Sequence, residues 1–366
     1  MYYNLSKEGM PRLNCPERIE IASYWAEWDK VCDFSVPYIK ERFGEMPTLS
    51  HSCFWDDEQS MVWFTKEMLR NLVQNHPILS IQFGLFHWQI EELASLVAEV
   101  KEPRIWLSQN PMPKLDYPDN LRIIHVPDQT YRASVLSNQI PIRYDRNIQD
   151  CQYTFACTAY NPTHGKGHLF QVLQALGHLD NAQYSTRGSD KLAFNPDPYH
   201  WNGILEPLQK REIGERHRKD IAKNFKALIP AIETSRFVIS ITENPFYNDY
   251  TENISEKPMW GLITNTPSLC IWNDHEIDYF KSYGFHLPNL ERVRQPNETE
   301  ADAVARWVSH IERLIGIVND NRRNINWDKD QAQYTAHNQE LYRQHHKTIA
   351  KELASQRPPE ITTFSR

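Results

Sequence analysis

The sequence predicts a two-lobed α/β protein in which each lobe carries a parallel sheet covered by helices. Three observations carry that expectation. Short apolar runs alternate with stretches of helical period in both halves of the chain, the pattern of strand–helix–strand units. A chain of 366 residues, 40% hydrophobic and 24% charged, is too long for one ordinary core and suits two. A polar stretch over residues 127–150 parts the two alternating series and reads as a linker between lobes.

In the first half, residues 1–50 carry several prolines and little periodicity, so no element is assigned there. Residues 61–74 space their apolar side chains as a helix does, and residues 89–100 form an amphipathic helical pattern. Residues 78–86, 104–108 and 121–126 read as strands. This first lobe spans 1–130, with the linker proper at 131–150.

The second half repeats the alternation more clearly. Residues 152–160 read as a strand, and a loop over 161–167 feeds a helix with Leu169, Val172, Leu173 and Leu176 on one face. Residues 183–186 form a short strand, and a helix over 221–232 leads to the most apolar strand of the chain at 237–242. Next come a helix opening at Glu256, a strand at 268–272, and a helix from His275 that Gly284 closes as a left-handed cap. This lobe spans 151–320. Its last helix carries a stripe of Val304, Trp307, Val308, Ile311, Leu314 and Ile315, and a more polar helix over about 329–353 occupies a C-terminal segment of 321–366.

Composition bounds the function. A net charge of −7 disfavours a nucleic-acid backbone as the main partner, and the basic residues Lys210, Arg211, Arg216, Arg218 and Lys219 are interrupted by acids. Six scattered cysteines with no CxxC pair predict reduced thiols and a cytoplasmic protein. The opening residues are polar and no apolar run is long enough for a membrane span, so a soluble chain is expected. Eleven Trp and seventeen Tyr serve packing first, with some rings available to stack on a base or a sugar.

The common nucleotide and nucleophile motifs are absent: there is no GxGxxG, GxxxxGK[ST] or GxSxG. Asp328 and Asp330, beside Trp327, fall at an expected helix start, where acids complement the helix dipole. His164 and His168 share a spacing that could suit a metal, but the intervening glycines favour a loop. No metal ligand set is assigned.

Residues 237–284 are the informative stretch. An apolar strand ends in Glu243-Asn244, a polar loop follows, and Ser255-Glu256-Lys257-Pro258 opens a helix with Ser255 as its N-cap. Glu256 and Lys257 then stand at a helix N-terminus on the carboxyl edge of a sheet, where open α/β sheets bind ligands. Free N–H groups and the dipole favour a phosphate there, Lys257 adds positive charge, and Glu256 can accept from ribose hydroxyls. The bland alternative is that Glu256 merely complements the dipole and Lys257 is solvated.

This stretch resembles the donor-binding segment of α1,3-fucosyltransferase-like enzymes: a strand, Glu243-Asn244, an acidic and aromatic loop, Ser255-Glu256-Lys257, a helix, a turn with Pro267, and an apolar strand. It is closer still to glycosyltransferase-like proteins of bacteriophage and bacterial genomes, in which the last helix ends in Gly-Phe, as at Gly284-Phe285. With residues 153–188, the resemblance covers about 135 residues of the C-terminal half.

The resemblance implies two Rossmann-like lobes facing a cleft, the GT-B arrangement, with C-terminal helices crossing back. It implies a metal-independent and inverting transfer from a nucleotide sugar, UDP- or GDP-linked, with no further cofactor. Glu256 would contact the donor ribose, Lys257 the diphosphate, and Glu243 and Asn244 the same cleft. Lys166 and His168 stand where the fucosyltransferase-like enzymes carry an Arg, a departure that touches phosphate geometry. The acceptor could be a glycan, a protein or a modified base in DNA, and oligomeric state is not legible. An inverting transfer needs a general base. Asp57 and Glu58, after the strand-like Cys53-Phe54-Trp55, are candidates, as is His87 at the end of the 78–86 strand. A second reading, from another class, is a non-catalytic two-lobed binding or structural protein that keeps this fold.

Overall fold

The computed structural model describes residues 3–5, 11–12, 48–49, 53–55, 61–63, 66–81, 87–108, 112–127, 130, 133–134, 137–138, 147–157, 165–186, 221–242, 254, 260–264, 266–287 and 292–355. The fold is mixed α/β, with two four-stranded parallel sheets and one four-stranded antiparallel sheet. The chain packs as two compact units, one of residues 1–129, 249–253 and 347–366, the other of 130–248 and 254–346.

In the first unit, β1 (Tyr3–Leu5), β2 (Pro11–Arg12), β4 (Cys53–Trp55) and β5 (Met61–Trp63) form the antiparallel sheet, in the order β2-β1-β5-β4. Helical spacing over 61–74 gives way here: Met61–Trp63 is a strand, and α1 begins only at Lys66 and runs to Asn75. A short run of apolar, β-branched and aromatic residues satisfies either period, and pairing with β1 and β4 selects the strand.

The parallel sheet of this unit runs β3-β6-β7-β8, from Thr48–Leu49, Ile78–Ile81, Arg104–Ser108 and Leu121–His125. Of the strand expected over 78–86, Ile78–Ile81 is described as strand and 82–86 lie outside the described residues; α2 (His87–Ala98) follows. Leu69, Leu72 and Val73 of α1 and Ile90, Leu93 and Val97 of α2 bury against Leu79, Ile81 and Trp106. Because the connections run in one direction across the sheet, right-handed crossovers place both helices on one face. Buried Arg104 donates through Nε to the Val73 carbonyl at 2.8 Å, tying β7 to the end of α1.

The second unit carries β9 (Tyr153–Cys157), α3 (Gly165–Ala175), β10 (Ala182–Tyr184), α4 (Ile221–Glu233), β11 (Ser235–Ile241), α5 (Trp260–Thr264), β12 (Ser268–Ile271), α6 (Asp274–Ser282), α7 (Glu300–Asn319) and α8 (Asn321–Ser355) up to residue 346, the rest of α8 being counted with the first unit. Its sheet order is β10-β9-β11-β12, parallel throughout. Phe155 pairs in register with Phe237, and Cys157 with Ile239. On one face, Phe155, Cys157, Phe237, Ile239, Ile241 and Ile271 join Leu169 and Leu173 of α3 and the Val304, Trp307, Val308 and Ile311 stripe of α7.

The other face meets α5 at Gly261. A Cβ built there would lie 1.7 Å from Ser268 Oγ, 2.7 Å from the Thr266 carbonyl and 3.0 Å from Val238 Cγ1. The absent side chain is what lets this helix lie directly on β11 and β12.

α8 begins well before residue 329, and Asp328 and Asp330 therefore lie inside it rather than at its start. Asn338 grips both backbone groups of His286, accepting from its N–H at 2.8 Å and donating to its carbonyl at 2.5 Å. The Tyr279 hydroxyl meets His345 Nε2 at 2.8 Å. Within the stretch read as a linker, buried Ser134 donates to the Tyr342 carbonyl, and Asn138 donates to that of Arg343, so these residues are fastened to α8. Gly284 closes α6 with φ +84°, as a left-handed cap requires.

Candidate functional site

The order β10-β9-β11-β12 contains a reversal of direction. From β9 the chain crosses to β10 on one side; from β11 it crosses to β12 on the other. The order thus reverses between β9 and β11, and open α/β sheets bind ligands at the carboxyl strand ends beside such a reversal. The sequential order of the first unit's parallel sheet, β3-β6-β7-β8, has no such point among the described residues.

Polar groups are buried all along this edge. After β9, α3 begins at Gly165 rather than after 167, so Lys166 and His168 occupy its first turn instead of a loop. Lys166 is fully buried and His168 is 2% exposed. Lysine is almost never wholly buried without a specific reason, and the first turn of a helix favours anions over cations. Burial pushes the His168 imidazole down to about 4, so at neutral pH it is an uncharged hydrogen-bonding group. After β10, Ser185 and Thr186 are buried, and Ser185 N–H donates to the Cys157 carbonyl at 3.1 Å.

After β11, Thr242 is 1% exposed and its N–H donates to the Ile271 carbonyl at 3.3 Å, while its hydroxyl has no partner among the described residues. After β12, Asn273 is the N-cap of α6, its Oδ1 accepting from the Glu276 N–H at 2.9 Å. Its Nδ2 finds no partner among the described residues, though the residue is 8% exposed. Glu276 is fully buried. Its carboxylate, after burial itself, is the second cause that pushes the Cys270 thiol far up, which keeps that sulfur protonated and unreactive.

A rigid frame lies beneath. Trp272 Nε1 donates to Ser240 Oγ at 3.0 Å, and the Trp272 ring packs against Phe280 at 5.1 Å between centroids. Thr264 donates to the Trp260 carbonyl at 2.8 Å and meets the Thr266 hydroxyl at 3.0 Å, fixing the turn between α5 and β12.

Among the residues expected from the sequence, Lys166 and His168 lie in the first turn of α3, and Glu243 and Asn244 follow Thr242 directly in the chain. Glu243, Asn244, Ser255, Glu256 and Lys257 lie outside the described residues, as do Asp57 and Glu58. His87 is the first residue of α2, not the last of a strand, and its side chain is outside the described set. Sequence reading passed over Thr242, Asn273 and Glu276. The pattern Asn273-x-x-Glu276 before an apolar residue was a legible N-cap signal.

Among the described residues no group of three or more His, Cys, Asp and Glu could hold a metal ion, and no helix is long and apolar enough to cross a membrane. The chain matches no protein-family model and no curated protein.

Proposed function

We propose that this protein is a glycosyltransferase that moves a sugar from a nucleotide-sugar donor, UDP- or GDP-linked, and that its two units correspond to the two Rossmann-like lobes of the GT-B arrangement. The observation that carries the reading is the reversal of sheet order between β9 and β11, at whose carboxyl ends open α/β sheets form a ligand crevice. Buried Lys166 and His168 follow β9 in the chain, and Thr242 follows β11 and leads into Glu243-Asn244 and then Ser255-Glu256-Lys257.

In this reading the crevice takes the donor. Lys257 and Lys166 bear on the diphosphate, and Glu256 accepts from the ribose hydroxyls. Fixed dipoles and basic groups stabilise the leaving diphosphate as the glycosidic bond breaks, the role a cation plays in other transferases. Asp57, Glu58 and His87 are the candidates for the base that takes the acceptor proton in an inverting displacement. The acceptor is a glycan, a protein or a DNA base, and the setting is cytoplasmic.

The test is a thermal-shift and turnover screen against UDP, GDP, CDP, dTDP and their sugar conjugates, run beside Glu256→Ala and Lys257→Ala. Selective stabilisation of the wild type by one nucleotide, lost in both variants, is the expected result. No shift and no donor hydrolysis with any nucleotide would remove the transferase reading.

A further inference from the structure

One buried hydroxyl bridges two partners in the hydrogen-bond ladder of α8. In an α-helix the Tyr342 carbonyl and the His346 N–H are each other's partners. Here both are served by Ser134, which is fully buried. Its Oγ donates to the Tyr342 carbonyl at 2.5 Å and accepts from the His346 N–H at 3.0 Å. The His346 ring Nδ1 lies 3.1 Å from the same oxygen. The next carbonyl of the helix, that of Arg343, accepts from Asn138 Nδ2 at 3.1 Å. Asn138 Nδ2 and Ser137 Oγ also donate to the Ser134 carbonyl, at 3.0 and 2.6 Å, and so hold the hydroxyl in position.

Sharp bends in helices come at proline, at glycine, at π turns or where a side chain enters the ladder. α8 runs for 35 residues and holds neither proline, glycine nor a π turn. The Ser134 contact is therefore the one cause of this kind among the described residues. Its place in the chain is specific. The chain passes between the two compact units at 129/130 and again at 346/347. Ser134 lies just after the first crossing, and His346 is the last residue before the second. The clasp thus ties together, within the second unit, two segments that lead out of it.

We propose that Ser134 makes Tyr342–His346 a hinge in α8. A hydroxyl both donates and accepts, so the ladder bond between residues 342 and 346 can exchange for two bonds to Ser134 Oγ. No backbone group is left bare when the bond opens, which removes the usual penalty for bending a buried helix. The helix then changes direction at this point while its turns on either side persist. The hinge does not rest on the nucleotide-sugar reading.

The experiment is hydrogen exchange on the full chain, resolved along α8, with the wild type beside Ser134→Ala and Asn138→Ala. In the wild type, protection should dip at residues 344–347 relative to one turn before and one turn after. Ser134→Ala removes the competing hydroxyl and leaves the two backbone groups to each other. Exchange at 344–347 should then slow by about two- to tenfold, while exchange over 130–138 quickens. Asn138→Ala removes a fastening bond but leaves the hydroxyl in the ladder, so exchange at 344–347 should not slow.

Even protection along 338–350 in the wild type overturns the hinge. Faster or unchanged exchange at 344–347 in Ser134→Ala also overturns it, since the hydroxyl would then only fasten one segment to another. Equal slowing in Asn138→Ala has the same force, because it would trace the effect to the segment and not to the hydroxyl.

Discussion

Trp272 donates its indole N–H to the Ser240 hydroxyl across the β11–β12 pair, at 3.0 Å and fully within the core. The bond joins the two strands whose carboxyl ends carry Thr242 and Asn273, and it sets the height of one against the other. Ser240→Ala leaves a buried indole N–H without its acceptor. The expected cost is about 1–3 kcal/mol of unfolding free energy, the desolvation penalty of an orphaned donor. Chemical denaturation checks it, and an unchanged midpoint would show that the indole is satisfied elsewhere.

Gly261 makes a sharper structural prediction. Alanine is the better helix former by about 1 kcal/mol, so propensity alone favours Gly261→Ala. Contact opposes it, and contact wins. The Ser268 hydroxyl at 1.7 Å can rotate away, but the Thr266 carbonyl at 2.7 Å is backbone and cannot. Overpacking of this kind costs about 1–3 kcal/mol, and a net loss in that range is expected. The double variant Gly261→Ala/Ser268→Ala should recover only part of it. Full recovery would show that α5 is free to shift.

These cases also show how far the sequence could be read. Residues 104–108 and the strand from 268 were legible because continuous apolar runs bounded by turn residues have few alternatives. The α3 start was not. Gly165-Lys166-Gly167-His168 reads as a loop, since two glycines weaken a helix. Packing of Leu169, Phe170, Val172 and Leu173 into the core overrides that preference and carries Lys166 and His168 inside with them. Asn273 announced itself by its spacing to Glu276. Thr242 did not, because a hydroxyl buried without a partner among the described residues is a property of its neighbours and not of the residue. The reversal between β9 and β11 is likewise a matter of sheet order, which alternating strands and helices leave open.

The transferase reading predicts a specific loss at Lys257. Lys257→Ala should weaken nucleotide-sugar binding by about 1.5–3 kcal/mol, the range for a hydrogen bond to a charged group. A dissociation constant that does not change in calorimetry would take Lys257 out of the site. Turnover should also survive a chelator. Loss with EDTA and recovery with Mn²⁺ or Mg²⁺ would replace dipole and lysine stabilisation of the leaving group with metal catalysis.

His168 predicts how stability depends on pH. Burial holds its imidazole near 4, against about 6.5 in an unfolded chain. Between those values the unfolded chain binds the proton and the folded one does not, so stability rises with pH across that window. The contribution is complete above about 6.5 and is lost as pH falls toward 4, a change of about 3 kcal/mol for this residue. His168→Gln keeps a neutral hydrogen-bonding side chain of similar reach and removes the titration. The expected result is that unfolding free energy declines less steeply between pH 6.5 and 4 in the variant than in the wild type. Parallel curves for the two proteins would mean that the imidazole reaches solvent when it takes up its proton. In that case the first turn of α3 opens at low pH, and His168 would present a charge to the crevice only under acid conditions.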